Sequence, residues 1–201
     1  MYYAESGTDK HIRENFFPDM NENKIMVEVG AGPTEYFSMS KHFRDSGWRC
    51  ICVEPNPKFV QQHKSLGHEI YQYACSNENK QGSFTIVNTP TWHKPENDGC
   101  SLSAINPRYG VPGNVKTEVI PMEIIRLEKL LEELKIEKID LLSVDTEGWE
   151  IEVLQGTNLE KYSPTVIVIE EMSDVSAYHK YLSDWGYKHH SSVGHNKIFI
   201  K

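Results

Sequence analysis

From Lys24 onward the chain alternates short β-branched and aliphatic runs with longer stretches whose apolar positions recur every three or four residues. That alternation is the pattern of a parallel sheet covered by helices. "KIMVEVG" (24–30) reads as a first strand, "TEYFSMSKHFRDSG" (34–47) as a helix ending near Gly47, and "RCICVEP" (49–55) as a second strand. In "NPKFVQQHKSLG" (56–67) Asn56 is a helix cap, Pro57 takes the first helical position and Gly67 is the stop. "EIYQYAC" (69–75) reads as the third strand.

"GSFTIV" (82–87) and "VKTEVIPM" (115–122) are also strand-like, and they enclose residues 88–114, a Pro-, Gly- and Asn-rich passage without a period. Ordinary connections run to about 4–6 residues, so this one is expected to serve as a lid or an acceptor-binding excursion. Regularity then resumes. "MEIIRLEKLLEELKI" (122–136) predicts a core-facing helix through Leu127, Leu130, Leu131 and Leu134. "KIDLLSVD" (138–145) is a fourth strand, "EGWEIEVLQG" (147–156) a short helix, and the nearly unbroken apolar run "PTVIVIEE" (164–171) a fifth strand buried on both faces. "SDVSAYHKYLSDWG" (173–186) predicts a helix with Leu182 and Trp185 inward, and "YKHHS" and "NKIFIK" a terminal hairpin around Gly194.

The 201 residues, 38% of them hydrophobic, are expected to form one domain over 1–201, with residues 1–23 as a leading segment. A formal charge of −8 and the lack of a basic run remove the general attraction to nucleic-acid phosphate and to acidic membranes. No apolar stretch approaches the roughly 18 residues of a membrane span and no secretory leader is visible, so a cytoplasmic protein is expected. Cys50, Cys52, Cys75 and Cys100 lack paired metal spacing and read as buried thiols.

The chemistry gathers where parallel strands end. Gly30 and Gly32 in "VEVGAGPTEYF" let backbone approach a ligand closely. A dinucleotide fingerprint would place a third glycine at 35, where this chain has Glu35, a carboxylate that would repel pyrophosphate. A sulfonium cofactor reverses the sign: Glu28 becomes tolerable, and Glu54, 22 residues past Gly32, is placed to accept both ribose hydroxyls.

The run "IDLLSVDTEGWEIEVLQG" (139–156), with "VEVGAG", "CVEPNP", "YACSNENKQGSFTI" and "GYKHHSSVGHNKIFI" in the same order, resembles the FkbM family of S-adenosylmethionine-dependent methyltransferases. The likeness covers Lys24 to the C-terminus and is weakest across 88–114. It implies an α/β, Rossmann-like class I methyltransferase fold, a seven-stranded mostly parallel sheet with an antiparallel last strand and helices on both faces. It also implies O-methylation of a hydroxyl on a sugar, glycan or small natural product. Glu28 stands where the family more often has Asp, and Thr34 where it often has a third glycine. Within the resemblance Ala74 and Cys75 become cofactor contacts beside Glu28, Gly30, Gly32 and Glu54, as do Gly7 and Asp9 in the leading segment, with Ser6 beside them. Ser101 and Ser103 resemble an acceptor-pocket segment.

In-line methyl transfer to a hydroxyl calls for positioning and a general base. Asp145, ending the fourth strand, is the first choice, with the alternative role of a helix cap; Glu147 is expected to cap the helix or orient Asp145. His195, in the terminal turn "SSVGHN", falls on the same face and titrates near neutrality. Trp92, His93, Trp149 and Glu170 complete the expected acceptor contacts. No spacing demands a metal, although Asp145, Glu170 and a histidine would make an oxygen and imidazole donor set. The competing readings are an NAD(P)-dependent oxidoreductase and a non-catalytic cofactor-binding module. Such domains are often fused to glycosyltransferases, so the chain is also read as one domain of a larger glycan-modifying enzyme.

Overall fold

The computed structural model describes residues 1–19, 23–90, 98–99, 103–108, 111, 113, 115–171 and 175–201. A short 3-10 turn, Glu5–Gly7, leads into α1 (Thr8–Phe16). The chain continues as β1 (Ile25–Val29), α2 (Met39–Asp45), β2 (Arg49–Val53), α3 (Pro57–Ser65), β3 (Ile70–Tyr71), β4 (Ala74–Cys75), β5 (Lys80–Pro90) and β6 (Asp98–Gly99). It closes with β7 (Lys116–Ile125), α4 (Leu127–Glu133), β8 (Leu141–Val144), α5 (Glu150–Gln155), α6 (Leu159–Tyr162), β9 (Val166–Glu170), α7 (Val175–Asp184), β10 (Lys188–Val193) and β11 (Asn196–Ile200).

Seven strands form the main sheet in the order β10-β11-β9-β8-β1-β2-β3. β3, β2, β1, β8 and β9 run parallel, while β11 inserts antiparallel between β9 and β10. Alternate side chains of each strand enter opposite layers. Met26, Cys50, Leu141, Val166, Val168 and Ile198 pack with Ile12 of α1 and Met39 and Phe43 of α2. Val27, Ile51, Leu142, Ile167 and Phe199 face Leu130, Leu131, Val153, Leu154, Tyr162 and Leu182 from α4 to α7. Burial on both faces explains the unbroken apolar run of β9, since each such side chain contributes about 1.5–3 kcal/mol.

A second sheet, β4-β7-β5-β6, stands beside the first. The periodicity of "EIYQYAC" predicts one strand. The structure divides it: Ile70–Tyr71 pairs with β2, and Ala74–Cys75 crosses to pair with Ile124–Ile125 of β7. β5 pairs antiparallel with β7 from Lys80↔Ile124 to Asn88↔Lys116 and runs on to Pro90, so the passage between these two strands is 91–115 rather than 88–114. Met122–Ile125 consequently belongs to a strand, and the predicted helix of 122–136 starts only at Leu127. The first predicted helix also starts late. Phe37 has φ +56, and α2 begins at Met39, whose N–H the Glu28 carboxylate accepts at 3.0 Å. Glu35, expected in that helix's first turn, lies outside it and reaches Lys41 at 4.0 Å. Trp185 follows α7 and is 36% exposed rather than inward. The terminal hairpin forms as expected around Gly194. Among the described residues, no helix is long and apolar enough to cross a membrane.

Candidate active site at the carboxyl edge of the sheet

Because β1, β2, β8 and β9 are parallel, Gly30, Glu54, Asp145 and Glu170 arrive at one edge. Gly30 has φ +84, and a Cβ there would lie 1.7 Å from the Asp145 carbonyl oxygen, so only glycine fits where β1 meets β8. Gly32, at φ +55, has nothing within 4 Å of its Cβ position and faces open space. Its N–H donates to Glu54 Oε2 at 2.9 Å, and the Asn56 N–H donates to Glu54 Oε1 at 2.7 Å. Glu54 is buried; burial pushes its pKa up to about 7 against the pull of those two N–H groups. Asn56 caps α3 as predicted, accepting from Lys58 N–H at 3.0 Å with Pro57 behind it.

Several expected cofactor contacts hold other positions. Glu28 is buried behind the loop, capping α2 with Oε1 while Oε2 lies 3.7 Å from Cys52 Sγ; burial raises its pKa. Asp9 is fully buried and accepts from the Tyr3 and Lys10 N–H groups at 2.6 and 2.8 Å, which ties down the leading segment and leaves no surface for a ligand. Gly7 is the left-handed N-cap of α1. Ala74 and Cys75 are buried in β4, where burial pushes the Cys75 thiol up to about 12.

At the other half of the edge, Asp145, Glu147 and Glu170 each place a carboxylate oxygen within 4.8 Å of the others. Desolvation and the charges of Glu170 and Glu147 raise the Asp145 carboxyl well above its ordinary range. Asp145 still touches solvent, so crowding by carboxylates is the firmer cause. Glu170 is pushed up to about 7 by burial and by Glu147, against a hydrogen bond from Asp145, and its Oε2 is buried without a partner. Asp145 and Glu170 therefore both hold a proton more tightly than free carboxyls do. Three such oxygens are also donors of the type a hard divalent cation takes; among the described residues Glu147, not a histidine, supplies the third.

Glu147 sits at φ +55 in a turn that Glu150 holds: Glu150 Oε1 accepts from the N–H groups of Thr146 and Gly148 at 2.9 and 3.0 Å, and Oε2 accepts from the Tyr178 hydroxyl at 3.1 Å. The N-cap position of the following helix is taken by Trp149, not by Asp145. The sequence signal for Glu150 was only an acid in a helix's first turn.

Trp149 is not a free sugar platform. Arg108 lies 4.0 Å above its ring and donates to the Gly148 carbonyl at 2.7 Å and, with both terminal nitrogens, to Glu152. The Trp149 Nε1–H donates to the Asn106 carbonyl at 3.2 Å. Residues 103–108 thus form a strap, and Ser103 Oγ at its other end accepts from the Val87 N–H at 2.9 Å, fixing it to the second sheet. The sequence reading passed over Arg108 because its partners lie some forty residues away. Trp92, His93 and Ser101 lie outside the described residues.

His195 is exposed in the terminal turn, which does lie at this edge because Asn196 pairs with Glu170; its ring has no hydrogen-bond partner among the described residues. Ser6 packs under that turn, 2.6 Å from where a Gly194 Cβ would sit, and Glu5 adds negative charge near Glu170. A hollow of about 590 Å³ lined by Lys24, Arg49, Lys135 and Asp140 lies at the opposite edge, away from every group named above.

A family model described as the methyltransferase FkbM domain matches residues 28–189, spanning both halves of the edge. A comparison with curated proteins finds no match.

Proposed function

Since the chain belongs to the FkbM methyltransferase family, we propose that it transfers a methyl group from S-adenosylmethionine to a hydroxyl of a sugar, a glycan or another small molecule. The observation that carries this reading is the pairing, on one sheet edge, of a bonded carboxylate beside an open glycine loop with a crowded carboxylate pair. The residues fit the cofactor. Gly32 faces open space, and the donor set is carboxylate, which suits a diol and a cationic sulfonium and ammonium rather than a diphosphate.

When bound, S-adenosylmethionine supplies an electrophilic methyl group on sulfur. Glu54, already fixed by two N–H groups, accepts from the ribose hydroxyls with its remaining lone pairs. The negative field of Asp145, Glu147 and Glu170 favours positive charge at the edge. The ionised member of the Asp145–Glu170 pair takes the proton from the acceptor oxygen, a step worth about 10²–10⁴-fold. Glu150 holds the turn that presents Glu147, and Arg108 holds the strap over Trp149.

Calorimetric titration of S-adenosylhomocysteine into wild type and Glu54→Ala, with NAD as control, tests the cofactor. Micromolar binding that is lost in the variant is expected; binding of NAD alone would overturn the reading. Incubation with S-adenosylmethionine and a panel of hydroxylated sugars, analysed by mass spectrometry, tests the acceptor class. Methyl appearing on nitrogen or carbon instead of oxygen would refute it.

A further inference from the structure

Beneath the glycine loop lie two histidines that the proposed chemistry leaves unused. His63, on α3, is fully buried, with Nε2 3.1 Å from the Gly32 carbonyl oxygen and Nδ1 3.1 Å from His68 Nδ1. A carbonyl oxygen only accepts, so His63 Nε2 carries the ring proton. Burial holds the His63 pKa down to about 4, so near neutrality its Nδ1 is bare, and the proton between the rings belongs to His68 Nδ1. Arg44 acts on both rings, while Lys41, Glu35 and Asp45 act on His68.

Gly32 is thus held at both backbone polar groups, its carbonyl by His63 and its N–H by Glu54. No tertiary neighbour would touch a side chain at this position, so the contacts that hold Gly32 from outside its own stretch of backbone are these two hydrogen bonds. They also tie the loop and Glu54 into one chain running from His68 through His63 and Gly32 to the carboxylate.

We propose that His63 and His68 form a relay of positioning residues for the cofactor: His68 fixes the His63 tautomer, and His63 fixes Gly32 so that Glu54 stays aimed at the ribose. The inference rests on the S-adenosylmethionine reading above. It is tested by titrating S-adenosylhomocysteine into wild type, His63→Leu and His63→Gln, and by long-range proton–nitrogen spectra of the wild-type histidine rings. A glutamine amide nitrogen sits where Nε2 sits and can donate; leucine cannot. His63→Leu is expected to weaken binding by roughly tenfold or more, and His63→Gln to stay within roughly threefold of wild type. The spectra are expected to show His63 as the Nε2–H tautomer, with that resonance shifting when S-adenosylhomocysteine is added.

Equal affinity in His63→Leu, strong weakening in His63→Gln, or an Nδ1–H tautomer would overturn the relay while wild-type binding upholds the cofactor. Failure of wild type to bind would overturn both. If His63→Leu does not fold, His63→Gln and the spectra decide.

Discussion

The two halves of the sheet's carboxyl edge are both built from acidic residues, yet they treat charge differently. At the ends of β1 and β2, Glu28 and Glu54 are buried and accept from backbone N–H groups of Met39, Gly32 and Asn56. At the ends of β8 and β9, Asp145, Glu147 and Glu170 face one another, and Glu170 keeps a buried oxygen without a partner. A carboxylate fixed by N–H donors is a rigid holder whose geometry is set before a ligand arrives. A carboxylate crowded by its own kind binds a proton more readily than usual and can exchange it near neutral pH. The first half is equipped to hold and the second to move a proton.

Where the halves touch, the expected effect of substitution is largest. Gly30→Ala places a methyl group on the Asp145 carbonyl and should destabilise by about 3 kcal/mol or more in urea denaturation, whereas Gly32→Ala, with open space around it, should cost only about 1–2 kcal/mol for its backbone angle. Near-equal costs would show that the seam yields and that the halves are not rigidly joined.

The contrast in hydrogen bonding predicts different responses to amide replacement. Glu170 is pushed up to about 7, so the folded protein holds a proton that the unfolded chain would release. That contribution to stability is complete below the ordinary carboxylate range and is lost as pH rises through about 7. Glu170→Gln should therefore stabilise the protein by about 1–2 kcal/mol at about pH 8, gain nothing at about pH 5, and depress methyl transfer. Glu54, also pushed up to about 7, shares the relief at about pH 8, but Glu54→Gln must turn an amide nitrogen toward the Gly32 or Asn56 N–H and should lose about 1 kcal/mol at about pH 5, where Glu170→Gln is neutral. Thermal melts of both variants at the two pH values check this, and equal shifts at about pH 5 would erase the distinction. The smallest stability effect is expected at the rim. Arg108→Ala removes a half-exposed ion pair worth at most about 1 kcal/mol, but should speed hydrogen exchange across residues 103–108.

Much of the holding half was legible in the sequence, because it depends on spacing along neighbouring strands. Gly30, Gly32 and Glu54 follow from where β1 and β2 end, and Asp145 and Glu170 from where β8 and β9 end. The misplaced boundaries share another cause. "TEYFSMSKHF" has helical periodicity throughout, but the start of α2 is decided by Glu28, eleven residues earlier. "EIYQYAC" has strand periodicity throughout, but its backbone leaves one sheet for another, which no side-chain period records. Glu150, Arg108 and His63 went unread because their partners include backbone carbonyls and N–H groups, and those carry no sequence signature.

The pairing of β1 with β8 bears on how the molecule is made. Met26 lies opposite Leu141, so the central pair of the sheet closes a loop of more than a hundred residues, a contact whose entropy must be met before it contributes anything. The β5–β7 hairpin and the terminal hairpin are local by comparison and are free to form early. During synthesis the glycine loop is made more than a hundred residues before the strand that carries Asp145 to its carbonyl contact with Gly30. The edge that gathers Gly30, Glu54, Asp145 and Glu170 therefore cannot close until β8 and β9 have been made, however early its first loop appears.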